Sequence, residues 1–316
     1  MRIGLIDVDG HNYPNLPLMK LSAWHKQQGD SVEWYDPLIH SVGKPLDIVY
    51  LSKIFSFSED YKFGINAQNI VRGGSGYCIS LVDGKEVYDK SKDKDLPYEI
   101  EHIYPDYSIY PEMTENCGFG FLTRGCPRGC SFCHVAAKEG RKSYKVANLD
   151  EFWRGQKKLE LLDPNILACK DWRDLLEQLV DSKVSVNFNQ GLDIRLMTEE
   201  KAEMLSRIKI RAIHFAWDKY EDKKLIQPQF LDFRKKSTIH PHSLQVYVLC
   251  GDREQKVLPE DLERIYWLRD NGYAPYVMLY NKDSIPRGHE LRKLQRWVNN
   301  RFIFWKCPTF EEYKRR

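Results

Sequence analysis

The chain has 316 residues, of which 42% are hydrophobic and 13% aromatic, and its formal net charge is +3. That is enough to bury one large core or two ordinary ones. No apolar run is long enough to span a bilayer, and the N-terminus lacks the charged-then-apolar layout of a signal peptide, so we expect a cytoplasmic protein without a membrane partner. The small net charge permits nucleic acid binding without arguing for it.

Eight cysteines occur, three of them within one short segment and five scattered along the chain. A disulfide framework is not expected in a chain of this size that lacks a secretion signal. The clustered cysteines therefore indicate a role other than disulfide bonding.

The first part of the chain predicts short strands alternating with helices, the pattern of βαβ units and a parallel sheet. Ligands of such sheets lie beyond the carboxyl ends of the strands. The predicted elements are strands at residues 2–7, 32–35, 47–51 and 70–71, a helix at 16–28 and a polar helix near 59–69.

Three short motifs stand at the predicted strand ends: Asp9-x-His11-x-x-Pro14, Ser52-x-Ile54 and Gly73-Gly74. They resemble the D-x-H-x-x-G, S-x-L and G-G pattern of flavodoxin-like, cobalamin-binding domains. The resemblance implies a corrinoid with His11 as its axial ligand. However, Pro14 and Ile54 depart from the pattern, which favours a degenerate domain without corrinoid and leaves His11 as a solvated loop histidine. Cobalamin remains an alternative cofactor.

Residues 77–110 have a different texture. Asp83-Gly-Lys predicts a hairpin turn between two short strands, and the charge run at 90–95 predicts a solvated loop. The aromatic, proline-rich segment at 104–111 predicts a linker whose rings pack, with base or sugar stacking as the competing interpretation. We place a domain boundary between residues 112 and 113.

The three clustered cysteines follow a predicted buried strand and have the spacing Cys126-x3-Cys130-x2-Cys133. Pro127 and Gly129 allow this loop to fold back and aim several sulfurs at one point. Three thiolates suit a soft metal centre, and a [4Fe–4S] cluster held by three would keep one iron without a protein ligand. The alternative is a zinc loop completed by His134 or Cys117.

This spacing, with aromatic Phe132 before the last cysteine, resembles the signature of the radical S-adenosylmethionine (SAM) superfamily. The resemblance implies a [4Fe–4S] cluster on Cys126, Cys130 and Cys133 whose open iron binds SAM, with Phe132 near the adenine. Reductive cleavage of SAM would yield a 5′-deoxyadenosyl radical that abstracts hydrogen from a substrate. It also implies an electron donor, a reductase or a flavodoxin or ferredoxin.

Counting the strand before the cysteines, the second part predicts six strands, each followed by a helical segment. The fold class is therefore α/β: a partial (β/α)6 TIM-type barrel preceded by a smaller Rossmann or flavodoxin-like domain. Radical SAM cores are similar. After the cysteine loop, we predict a helix at 149–161, strands at 165–169, 184–188, 210–217, 244–250 and 274–280, and helices at 171–181, 198–207, 258–271 and 289–300, with a helical stretch toward 236.

Candidate SAM contacts lie at the predicted strand ends, where barrel chemistry sits. The family often has a Gly-Gly-Glu type motif after the second strand; here 168–171 replaces it, and the backbone of Ala168 is the candidate. Arg195 suits the SAM carboxylate, and Gln190 and Asp193 suit ribose or substrate. The alternative is an internal Asp193–Arg195 pair that shapes the turn. Gly251 resembles the family's adenine-side contact.

Three functions remain open from the sequence. The first is a radical SAM enzyme whose substrate is unidentified, a nucleic acid base or a peptide being plausible by analogy of fold. The second is a cobalamin-dependent methyltransferase of the same superfamily. The third is a non-catalytic zinc or iron–sulfur protein that binds nucleic acid, which would leave the six strand–helix units with polar strand ends unexplained.

Overall fold

The computed structural model describes residues 1–10, 12–82 and 85–314. Contacts divide the chain into two compact units: residues 1–120, 134–140 and 147–158 form the first, and residues 121–133, 141–146 and 159–316 form the second. No helix in the described part of the chain is both long and apolar enough to cross a membrane.

The first unit is built on a four-stranded sheet of order β2-β1-β3-β4, and all three neighbouring pairs are parallel. A hairpin of two short antiparallel strands follows, as predicted, although its turn residues Asp83 and Gly84 lie outside the described part of the chain. The strands are β1 (Arg2–Asp7), β2 (Ser31–Trp34), β3 (Leu46–Ser52), β4 (Ala67–Gly73), β5 (Ile79–Val82) and β6 (Lys85–Tyr88).

Strand β1 is buried on both faces, which explains its continuous apolar sequence. Ile3 and Leu5 pack with Leu18 of helix α1 (Leu16–Gln27), whereas Ile6 packs with Val49 on the opposite face. Helix α1 begins where the Asn15 side chain accepts a hydrogen bond from the Leu18 amide. The helix predicted at 16–28 and all four predicted strands of this part are confirmed.

The polar helix predicted near residues 59–69 is wrong. Residues 59–66 form neither helix nor strand, and residues 67–69 belong to β4, which pairs in parallel with β3 from Leu46–Ala67 onward. Tyr61 and Ile65 pack against the core cluster on that side of the sheet. Strand pairing and burial therefore outweigh the helical propensity of the charged residues around Glu59.

The aromatic linker packs within the first unit. The Tyr107 hydroxyl donates to the carbonyls of Phe119 and Phe152, at 3.2 and 2.6 Å. The Tyr110 hydroxyl donates to the Asp7 carboxylate at the end of β1, at 2.6 Å. These contacts tie the linker to residues at strand ends.

The larger sheet has six strands in the order β14-β13-β12-β11-β10-β7, which follows the chain order without reversal. Parallel pairing joins β11 to β14 in sequence. The strands are β7 (Cys117–Gly120), β10 (Lys158–Leu161), β11 (Ser185–Leu192), β12 (Ile210–Ala216), β13 (Leu244–Cys250) and β14 (Ala274–Leu279), while β8 (Thr123–Arg124) and β9 (Tyr144–Lys145) form a separate antiparallel pair.

The long helices of the second unit alternate with its strands, in agreement with the predicted strand–helix units. They are α6 (Trp172–Ser182), α7 (Glu199–Arg207), α8 (Lys223–Lys236), α9 (Pro259–Asp270) and α10 (Glu290–Asn299). The shorter helices of the chain are α2 (Pro37–His40), α3 (Tyr98–Glu101), α4 (Pro111–Thr114), α5 (Val135–Glu139), α11 (Arg301–Lys306) and α12 (Phe310–Lys314).

The second strand of the sheet is not where we predicted it. Residues 149–161 do not form a helix, and residues 165–169 do not form a strand; β10 is the second strand, and Ile166–Ala168 is a 3-10 helix. Leu159 and Leu161 are fully buried with Glu160 between them, which is strand alternation. Gly155, at φ +95°, precedes β10 in a backbone conformation that a helix does not contain.

Candidate functional site

The three cysteines lie in the loop at residues 121–133. Cys126 and Cys130 are half-buried and Cys133 is exposed. Gly129 has φ +57°, and a Cβ there would collide with the Arg141 guanidinium, so the loop needs glycine at this position. The turn that we predicted at Gly129 is therefore present in the backbone of the loop.

Asp163, just after β10, holds the beginning of this loop. Its carboxylate accepts hydrogen bonds from the Leu122 amide, the Thr123 amide and the Thr123 hydroxyl, at 3.2, 2.5 and 2.6 Å. Burial raises the pKa of Asp163 to about 6, and the Thr123 and Leu122 donors offset part of that effect. Two residues later, the Asn165 amide donates to the Cys126 sulfur at 3.6 Å.

A chain of charges holds the middle of the loop. Arg128, between Cys126 and Cys130, has its Nε 3.3 Å from Asp193 Oδ2. Asp193 also accepts from Arg195 Nε at 2.7 Å, and Arg195 NH1 donates to Asp222 at 2.7 Å. The internal Asp193–Arg195 pair that we considered as the alternative is therefore present, and it extends to the cysteine loop.

Strand β11 bulges where its polar residues lie. Its register against β12 shifts between Phe188 and Leu192, and Gly191 has φ +99°. Such irregularities turn side chains out of the regular pleat and are frequent beside active sites. The Gln190 side chain on this bulge is exposed, which leaves it accessible to a ligand.

One face of the sheet carries an aromatic ladder across three strands. Phe215 on β12 packs edge-on against Phe230 of α8, so its neighbour His214 lies on the opposite face. There the His214 ring stacks on Tyr247 of β13 at 5.0 Å, and Tyr247 meets Tyr276 of β14 at 5.8 Å. Burial lowers the pKa of His214, which favours the neutral ring.

The same unit contains a hydrogen-bonded network around Glu160. One carboxylate oxygen accepts from the side chains of Asn187 and Asn189, at 2.7 and 2.6 Å, and the other pairs with Arg211. The Asn189 carbonyl accepts from the Tyr247 hydroxyl at 3.0 Å. The network therefore joins the acidic side chain of β10 to the aromatic ladder.

Arg264 of α9 connects the ends of β12 and β13. It is 1% exposed, and it donates to the carbonyls of Trp217 and Leu249 at 2.8 and 2.9 Å and to the Asp261 carboxylate at 2.6 Å. Nearby, burial raises the pKa of Asp218 to about 6, against the opposing charges of Arg264 and Arg195. Sequence reasoning did not find Arg264.

The remaining predicted contacts are more dispersed. Gly251 follows β13 with φ +80°, a conformation that requires glycine. Phe132 is half-buried in the cysteine loop. Ala168 lies in the 3-10 helix rather than at a strand end, since the predicted strand there is absent.

The donor set of the loop fits an iron–sulfur cluster chemically, because three cysteine sulfurs stand within eight residues. Their side chains are not gathered in advance: no group of three His, Cys, Asp or Glu side chains in the described part of the chain is arranged to hold a metal ion. His134, a zinc ligand in the alternative interpretation, is paired with Glu86 at 3.1 Å.

The cobalamin-like motifs of the first unit are engaged within the chain. Asp9 accepts from the Ile54 amide and the Ser58 hydroxyl, both at 2.6 Å, and the Ser52 hydroxyl accepts from Asn15 at 2.9 Å. A Cβ on Gly74 would overlap the Lys53 carbonyl. These residues fit closed loops better than an open corrinoid pocket. His11, for which the resemblance implied an axial-ligand role and which we expected to be a solvated loop histidine, lies outside the described residues.

No protein-family model and no curated protein matches this chain. Among solved structures, it matches the radical S-adenosylmethionine methyltransferase TsrM from Kitasatospora setae with cobalamin and a [4Fe–4S] cluster bound, at TM-score 0.59 and 12% identity, covering 88% of this chain and 74% of that one. The chain has the fold of this radical SAM methyltransferase. A second TsrM structure, with tryptophan substrate and the SAM analogue aza-SAM, matches with the same score and identity over 72% of its chain.

This likeness and the strand order confirm the predicted α/β fold class, a six-stranded parallel sheet preceded in the chain by a smaller four-stranded parallel sheet. Sequence reasoning missed Asp163, Asn165, Glu160 and Arg264. The signal for the first three was Leu159-Glu-Leu161 alternation followed by the turn residues Asp163-Pro-Asn165. Nothing in the sequence around Arg264 distinguishes it from a surface arginine.

Proposed function

We propose that this chain is a radical SAM enzyme that uses a [4Fe–4S] cluster to cleave SAM reductively to a 5′-deoxyadenosyl radical, which abstracts hydrogen from a substrate. The observation that carries the proposal is the cysteine loop itself. Cys126, Cys130 and Cys133 lie on one loop of a chain that has the fold of a radical SAM methyltransferase. Contacts from the ends of two neighbouring strands, at Asp163 and Asp193, support that loop.

The cysteine thiolates would hold the cluster, Phe132 and Gly251 would lie along the adenosine, and the backbone carbonyl of Ala168 would meet the SAM amino group. Arg195 pairs through Nε with Asp193 and through Nη1 with Asp222. Its Nη2 has no ion-pair partner among the described residues. That nitrogen is the one we assign to the SAM carboxylate. The exposed Gln190 then suits a ribose hydroxyl, and Asp193 acts mainly by orienting Arg195.

We place the substrate against the aromatic ladder of His214, Tyr247 and Tyr276. A planar group such as a nucleic acid base or an aromatic peptide side chain would pack well there. The tryptophan substrate of the second TsrM structure is one such group. A flavodoxin, a ferredoxin or a reductase would supply the electron in a reducing, cytoplasmic compartment.

Anaerobically reconstituted protein tests this function. Incubated with SAM and dithionite, the wild type should form 5′-deoxyadenosine, and Cys130→Ala should form none. Cys169→Ala, the same change at a buried cysteine outside the loop, should behave as the wild type. Zinc in place of iron, or equal product from wild type and Cys130→Ala, would show that the proposal is wrong.

The bound cobalamin in one matched structure supports a second candidate, a cobalamin-dependent radical SAM methyltransferase. The engaged side chains of Asp9 and Ser52 argue against it. Incubation with hydroxocobalamin followed by desalting decides between the two. Retention of one corrinoid per chain, seen in the visible spectrum, selects the methyltransferase, and loss of all corrinoid selects the first candidate.

A further inference from the structure

Asn165 is buried against the cysteine loop without being part of it. The residue is 2% exposed, and its Nδ2 lies 3.6 Å from the Cys126 sulfur. It follows Pro164 at the turn after β10, on the same segment as Asp163, which binds the beginning of the loop. The contact therefore joins one predicted cluster ligand to the end of the neighbouring strand.

Two hydrogen bonds to its carbonyl oxygen hold the backbone of Asn165 in place. That carbonyl accepts from the Ser143 hydroxyl at 3.0 Å and from the Ala168 amide at 3.2 Å, where the 3-10 helix Ile166–Ala168 begins. The side chain is thus attached to a segment with little freedom to turn. A fixed attachment is what a directional contact to sulfur requires.

The direction of the contact follows from the chemistry of the two groups. A cluster-bound thiolate has no proton and can only accept, whereas the amide nitrogen can only donate. The other amide atom, Asn165 Oδ1, is buried and has no hydrogen-bond partner in the described part of the chain. An unpartnered buried acceptor costs about 1–3 kcal/mol. A leucine would avoid that cost, so the amide at this position calls for an explanation.

We propose that Asn165 is a positioning residue that donates a hydrogen bond to Cys126 and thereby raises the reduction potential of the cluster. The inference rests on the proposed function, because it needs a cluster on Cys126. Reduction adds negative charge, which spreads onto the ligand sulfurs. A donor at one sulfur stabilises the reduced form more than the oxidised form, and hydrogen bonds to sulfur are among the known determinants of cluster potentials.

The test is a potentiometric titration of the reconstituted cluster, followed by electron paramagnetic resonance. Asn165→Leu removes the donor and keeps the volume. At one applied potential, we expect its reduced-to-oxidised ratio to fall roughly three- to tenfold below that of the wild type, where tenfold corresponds to 59 mV for a one-electron couple. The wild type should also show an exchangeable-proton coupling in electron–nuclear double resonance that Asn165→Leu lacks.

Asn299→Leu is the matched control. It removes a partly buried amide that binds Val277 of β14, at the opposite edge of the sheet from the β10 side. Its potential should equal that of the wild type. If Asn165→Leu does not fold, Asn165→Asp provides the measurement, because it keeps the shape, replaces the donor by an acceptor and should lower the potential further.

The outcomes separate the two proposals. A wild type that holds no iron cluster contradicts the proposed function. A wild type with a normal cluster whose potential is unchanged in Asn165→Leu, or in Asn165→Asp where only that variant folds, overturns the role of Asn165 and leaves the proposed function standing.

Discussion

Asp163 is a buried carboxyl group whose surroundings act on it in opposite directions. Burial favours the protonated form, and three donors favour the charged form, with the balance at a pKa of about 6 against the ordinary 3.8. The folded state therefore binds this proton more tightly than the unfolded state. Its stabilising contribution is complete below pH 3.8 and is lost as the pH rises through about 6.

We predict that Asp163→Asn removes this part of the pH dependence. Between pH 4 and 7, the wild type should lose about 2.4 kcal/mol more unfolding free energy than the variant does, since one pKa unit is worth about 1.4 kcal/mol and the group is already partly ionised in the unfolded chain at pH 4. Urea denaturation at a series of pH values measures it. Asp181→Asn, at an exposed position of α6, should retain the wild-type slope. Parallel curves for Asp163→Asn and wild type would rule out the raised pKa.

At the scale of elements, a buried arginine links α9 to the sheet. Arg264 satisfies carbonyl groups after both β12 and β13, and it pairs with Asp261, which is 1% exposed. Both charges are almost fully buried, so neither can be compensated by water. The ends of these two strands, where Asp218 and Gly251 lie, therefore depend on a helix side chain.

We expect Arg264→Met to destabilise the protein by about 3–5 kcal/mol, because it leaves the Asp261 carboxylate buried and unpaired. Chemical denaturation of the otherwise unchanged protein gives this value. The control is Arg253→Met, whose surface ion pairs with Glu221 and Glu260 should contribute less than about 1 kcal/mol. Equal losses in the two variants would mean that Arg264 does not hold the strand ends.

At the scale of the whole molecule, cluster loading should stabilise the folded chain. A ligand that binds only the folded state, held at a hundred times its dissociation constant, adds about 2.7 kcal/mol. For a chain of this size, with about 2.1 cal/mol/K of unfolding entropy per residue, that raises Tm by on the order of 4 °C. Anaerobic thermal unfolding before and after reconstitution measures the gain.

The matched control for this prediction is the triple variant with alanine at 126, 130 and 133, which should gain nothing on reconstitution. Chelation of iron from the loaded wild type should return its Tm to the value before loading. If the triple variant gained as much as the wild type, iron would be binding elsewhere in the chain.

The sequence by itself determined the features that depend on neighbouring residues. The spacing of Cys126, Cys130 and Cys133 and the turn at Gly129 are local, so the loop could be predicted. The same holds for the strands from β11 to β14, whose apolar periodicity identifies them without knowledge of their partners. The polar helix near Glu59 failed because pairing with β3 decides that segment.

Only the tertiary structure decided what surrounds the loop. Asp163 contacts Thr123 across 40 positions of sequence, and Asn165 contacts Cys126 across 39. The Asp222 carboxylate that accepts from one nitrogen of Arg195 lies 27 positions away in the sequence. No local pattern encodes such contacts, since they arise when parallel strands bring their carboxyl ends to one edge of a sheet.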